Sequence, residues 1–84
     1  LKAELLDLMC AQARRCLALM AEAADQDSWL TATHTLKGAA RGVGAFALGE
    51  ACEAVETLGQ ADWPDGTLVV ERAFLDTQAC FAES

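Results

Sequence analysis

His34, the only histidine of the 84 residues, is followed by Lys37 three positions on, Gly38 four positions on and Arg41 seven positions on. An imidazole with an unprotonated nitrogen near neutral pH is a nucleophile and can hold a phosphoryl group temporarily. The charge of that group needs compensation. Lys37 offers a flexible ammonium one helical turn away, and Arg41 offers a second cation about 10 Å along the axis. Glycine inside a helix costs roughly 0.5 to 1 kcal/mol relative to alanine, so Gly38 needs a reason to stand there. Clearance above the imidazole for a second protein's active site is one such reason. The competing reading is that Gly38 lets another helix of the same domain approach.

Helix geometry separates these readings. At 100° per residue, Trp29, Ala32, Leu36, Ala39, Ala40 and Val43 lie roughly 140 to 240° from His34, so the imidazole faces away from its helix's apolar stripe. Asp27, Thr31, Gly38 and Arg41 fall within about 60° of His34, and Lys37 lies about 60° to the other side. Gly38 is thus expected to face outward with the histidine. Leu30, about 40° from His34, is the nearest apolar candidate for a partner surface, together with Thr31, Arg41 and Phe46. Phe46 has two readings, a docking contact or a helix-start ring folded back onto the end of the domain.

The elements that must carry this strip are helical. Residues 1–24 lack glycine and proline and are rich in alanine, leucine and glutamate, and strong helix formers in that density predict one long helix. Its expected core stripe is Leu6, Met9, Cys10, Ala13, Leu17, Met20 and Ala24. Leu5, Leu8 and Leu19 fall beside it and are expected to widen the stripe between two neighbours. Asp25 to Ser28 supply N-cap candidates for a second helix over about 27–42, broken by Gly42 and Gly44. A third helix is expected over about 45–60, with Ala45, Leu48, Ala51, Cys52, Val55 and Leu58 inward. After a turn-rich connection from Gly59 to Gly66, a fourth is expected over about 67–82, with Val70, Ala73, Phe74, Thr77, Cys80 and Phe81 inward. Trp63 has no assignment beyond one end of the domain. Four amphipathic helices without a strand pattern predict an all-α fold, an antiparallel up-down four-helix bundle forming a single domain over residues 1–84.

Composition narrows the function classes. Thirteen acidic residues against six basic ones give a net charge of −7, which argues against nucleic acid and anionic membrane as partners. Between Asp27 and Glu50 there is no acidic residue, so an electropositive window is expected around His34. Cys10, Cys16, Cys52 and Cys80 show no zinc-ligand spacing and are expected to be reduced core residues, as in a cytoplasmic protein. One histidine and scattered thiols make no metal site, and no cofactor motif is present. No signal-like segment and no apolar run near 18 residues occurs. Leu1 is not an initiator methionine, which leaves a free-standing protein and a segment of a longer kinase both open.

His34-Thr35-Leu36-Lys37-Gly38, followed by Gly44-Ala45, Leu48, Cys52 and Glu56, resembles the histidine phosphotransfer (HPt) domain family of multistep phosphorelays. The detailed match covers about residues 29–58. The resemblance implies that His34 accepts and donates the phosphoryl group, that Lys37 steadies its oxygens, that Gly38 leaves room for the partner and that Gly44 belongs to the turn into the next helix. It also implies response-regulator receiver domains as partners, the receiver providing the aspartate and Mg²⁺, with a hybrid histidine kinase as a further candidate partner. Ala39-Ala40 depart from the small hydroxyl residues common there. Without a P-loop or room for a nucleotide-binding domain the chain is no kinase by itself, and a monomer is the expected state. Two alternatives stand beside this reading. One is a helical interaction bundle without chemistry. The other is a kinase dimerisation and phosphoacceptor domain, which would carry an acidic residue where Thr35 stands and a proline nearby.

Overall fold

Twenty-one residues of strong helix formers build α1 (Lys2–Glu22) in a computed structural model that describes residues 2–82. It is followed by α2 (Gln26–Gly42), α3 (Phe46–Val55), a single 3-10 turn (Gln60–Asp62) and α4 (Trp63–Ala82). The expected first residue of the first helix, Leu1, and residues 83 and 84 of the expected domain lie outside the described residues. No strand occurs among the described residues. Each helix packs on its neighbours in sequence, and α4 closes back onto α1. The result is an antiparallel up-down four-helix bundle of 37 × 17 × 16 Å.

The core follows the helical period. Met9, Ala13, Cys16 and Met20 of α1 meet Trp29, Ala32, Leu36 and Ala40 of α2, Leu48, Cys52 and Val55 of α3, and Val70 and Phe74 of α4. α2 begins at Asp25, whose carboxylate accepts the Ser28 N–H at 2.8 Å. That hydrogen bond holds the Asp25 carboxyl below its ordinary range. α2 ends in a Schellman turn in which the Ala45 N–H donates to Ala40 O and the Gly44 N–H to Arg41 O. Gly44 takes φ +81° there, a conformation that costs a side-chain-bearing residue energy, so its presence at this turn has a local cause.

The second half of the chain departs from expectation. α3 stops at Val55 rather than near residue 60, and α4 starts at Trp63 rather than near residue 67. The Trp29 indole N–H donates to Val55 O at 2.9 Å and the Trp63 indole to Leu58 O at 2.9 Å. The Val55 carbonyl at the end of α3, which also accepts the Leu58 N–H at 3.2 Å, and the Leu58 carbonyl beyond it thus each receive an indole N–H where α3 does not continue. Pro64 sits in the first turn of α4, where its missing N–H costs nothing. Gly66 is not a breaker but a contact residue within α4. A Cβ there would lie 2.8 Å from Leu58 Cδ1 and 3.2 Å from the Trp29 ring.

Several burial expectations are also corrected. Ala24 lies beyond the end of α1 and is exposed, and Cys80 is exposed while Cys10 is half-buried. Leu5, Leu8 and Leu19 are not packed between two neighbours but are exposed. They lie on one side of α1 at spacings of three and eleven residues, multiples of a helical turn, so they form a line and not a widened core. Cys16 is fully buried, as expected of a core thiol, and Thr33, absent from the expected stripes, is fully buried as well. The Thr33 hydroxyl donates to Trp29 O at 3.0 Å and Leu30 O at 3.2 Å, which satisfies it inside α2.

Candidate functional site

Trp29, Leu36 and Ala40 turn one face of α2 into the core, so the residues opposite them must face solvent. His34, Thr31, Thr35, Gly38 and Arg41 are all exposed on that side. The His34 side chain makes no hydrogen bond, ion pair or ring contact with a described residue. A Cβ built on Gly38 would meet nothing within 4 Å. The missing side chain is therefore not required by packing within this chain, which removes the competing reading of Gly38.

The cations behave differently from the expectation of an open electropositive window. Lys37 Nζ lies 2.5 Å from Oε1 of Glu56, the C-cap residue of α3, and the two side chains are only 15% and 16% exposed. Glu56 Oε1 receives no hydrogen bond from any other described residue. Arg41 Nη2 lies 2.5 Å from Glu53 Oε2 in a more open pair. The Arg41 chain crosses α3 above Gly49, where an added Cβ would come within 3.1 Å of Arg41 Cγ. The window is thus closed by two carboxylates delivered from α3.

The register of the α2–α3 hairpin explains both pairs. Moving four residues along α2, from Lys37 to Arg41, corresponds to moving three residues back along α3, from Glu56 to Glu53. Antiparallel helices bring such positions opposite one another in succession. Reading helix by helix missed Glu53 and Gly49 beside Arg41, and quoted Glu56 within the family pattern without pairing it with Lys37. Aligning the outward charges of the two helices in opposite directions from the Gly44 turn is the signal that finds them.

The remaining candidates divide. Leu30 is exposed at the edge of the strip. Phe46 is 64% exposed and lines a groove with Ala73, Thr77 and Phe81 between α3 and α4. On the other flank of α2, Leu5 and Leu8 border a groove with Ala39, Gly42 and Val43, and Leu19 borders another with Thr31. The histidine strip consequently has an apolar border on α1 and a charged border on α3.

A family model described as Hpt domain matches residues 4–79, nearly the whole chain. The chain belongs to the Hpt family. Hpt domains take part in histidine phosphotransfer within phosphorelays, where they interact with receiver domains and kinases. A search of curated proteins and a search of solved structures return no match. Among the described residues of this Hpt domain, no helix is long and apolar enough to cross a membrane.

Proposed function

We propose that this Hpt domain carries a phosphoryl group on His34 between aspartates of receiver domains. One observation supports it above the others: an exposed imidazole without a side-chain partner among the described residues stands one turn from Gly38, where an added Cβ would meet none of them within 4 Å. A docking receiver needs a free imidazole nitrogen and open space beside it.

In the loading step the unprotonated imidazole nitrogen attacks the phosphorus of an aspartyl phosphate. The new N–P bond forms as the O–P bond breaks, and the receiver's carboxylate leaves with the electron pair. Donation to a second receiver reverses these bonds. Such transfer depends mainly on position and charge neutralisation. The receiver supplies the aspartate and Mg²⁺. Lys37 steadies the phosphoryl oxygens, Gly38 provides clearance, and Thr31, Leu30 and Arg41 border the contact. The exposed Leu5, Leu8 and Leu19 make α1 the apolar side of the docking face, where release of water from apolar surface drives a small, rapidly reversible association. The domain works as a monomer in the cytoplasm and has no turnover of its own.

The test is phosphotransfer from phosphorylated receivers to the wild type and to His34→Gln. Acid-labile, base-stable label on the wild type and none on a folded His34→Gln variant is the expected result. Label that persists on His34→Gln, or wild type that stays unlabelled beside active receivers, would overturn the assignment.

A further inference from the structure

We infer that Glu56 is a positioning residue that holds the Lys37 ammonium on α3 while His34 is unmodified and yields it to the phosphoryl oxygens once His34 is loaded. This deepens the relay proposed above and depends on it. The strength with which the carrier retains its phosphoryl group is then set by a competition between one carboxylate and one phosphoryl group for a single ammonium.

Three features of the pair support an exchange. First, the ions are 2.5 Å apart, and Glu56 Oε1 receives no hydrogen bond from any other described residue. Lys37 is thus the one cation paired with Glu56 among the described residues, so the pair is a single contact and not part of a larger network. Second, the side chains are 15% and 16% exposed. Partial burial strengthens Coulomb attraction, but taking both charges from water offsets much of the gain, so the pair's net strength is modest. Third, Lys37 stands at i+3 from His34, within a helical turn, and its long flexible stem can swing between α3 and the imidazole.

A phosphohistidine bears more negative charge than one carboxylate and stands at the open end of that swing. On loading, the ammonium gains the phosphoryl oxygens and leaves Glu56 to turn its carboxylate towards the remaining access to water. Because leaving Glu56 costs part of the gain, the carrier binds its phosphoryl group less firmly than an unpaired lysine would allow. A relay intermediate benefits, since a group held less firmly is passed on more readily.

The exchange is testable with small-molecule loading. Phosphoramidate donates its phosphoryl group to the imidazole nitrogen, ammonia leaving as the N–P bond forms. The phosphoryl group's own proton equilibrium is then read by ³¹P NMR titration. In Glu56→Gln, which keeps the shape of the side chain without its charge, freed Lys37 should raise the acid dissociation constant of that phosphoryl group by roughly fivefold. In a Lys37→Met background the same substitution should change it by less than about twofold. An equal change in both backgrounds would mean that Glu56 acts through its own charge, and no change in either would mean that it does not reach the site; each overturns the inference. In the wild type, the Lys37 ammonium and Glu56 carboxylate resonances should both move on loading, a readout that needs no substitution. Resonances that stay fixed on a loaded protein also overturn it. A wild type that takes no label on His34 from phosphoramidate or from phosphorylated receivers removes the relay reading itself.

Discussion

The rings of Trp29 and Trp63 stack at 5.0 Å between centroids and 6° between planes, joining the start of α2 to the start of α4. Each indole also donates to a carbonyl at the end of α3 or just beyond it. The stack therefore holds three helices at one end of the bundle. Trp29→Ala should cost about 3 to 5 kcal/mol through lost burial. Trp63→Phe keeps a ring but leaves Leu58 O without its indole donor and should cost about 1 kcal/mol. Thermal unfolding checks both, with the second expected to lower Tm by roughly 4 to 8 °C.

Gly38 separates stability from docking. Since an added Cβ meets nothing within 4 Å, Gly38→Ala should stabilise α2 by about 0.5 to 1 kcal/mol. Gly38→Leu should also fold while slowing transfer from receivers far more than Gly38→Ala. Chemical denaturation and transfer rates measured on the same preparations check the two effects together. A Gly38→Leu variant that transfers at the wild-type rate would remove the clearance role.

The line of exposed leucines on α1 makes a similar separation possible. Leu8 is 68% exposed, so Leu8→Glu should change stability by no more than about 0.5 kcal/mol. If α1 forms the apolar side of the docking face, the substitution should raise the KM for a phosphorylated receiver while loading by phosphoramidate stays unchanged. An unaltered KM would move the docking face away from α1.

Burial of the thiols has consequences at alkaline pH. Desolvation pushes Cys52 from an ordinary value of 9.0 up to about 12, with Cys16 and Glu56 adding to the rise, and burial also raises Cys16. An unfolded chain would lose the Cys52 proton near pH 9.0 while the folded chain retains it to about 12. The unfolded state then binds fewer protons, so the stability is fully present below pH 9.0 and falls as pH rises towards about 12. Denaturation midpoints across that window should decline less steeply for Cys52→Val. Thiol labelling of the native protein should reach exposed Cys80 first and Cys16 and Cys52 only on unfolding.

Much of the bundle was legible without coordinates because amphipathic period is a local property. Trp29, Leu36 and Ala40 lie on one side of a helix wherever that helix packs, and His34 must then lie on the other. The boundaries of α3 and α4 were less legible. Gly66 and Pro64 carry the composition of a turn, yet Gly66 is small because Leu58 and Trp29 press on it, contacts that no local window contains. The extra leucines of α1 were misread for a related reason. A helix in a four-membered ring has two neighbours, but whether a flanking leucine reaches either depends on how far apart the axes stand.

The sequence alone determined the outward histidine, its glycine neighbour and the turn at Gly44, since each follows from helical geometry and backbone sterics within a few residues. Only the tertiary structure decided that Lys37 and Arg41 would be met by Glu56 and Glu53. That outcome depends on the register of one helix against another, and register is set by the packing of the whole core. Charges 12 to 19 residues apart in sequence become neighbours only once that packing is in place.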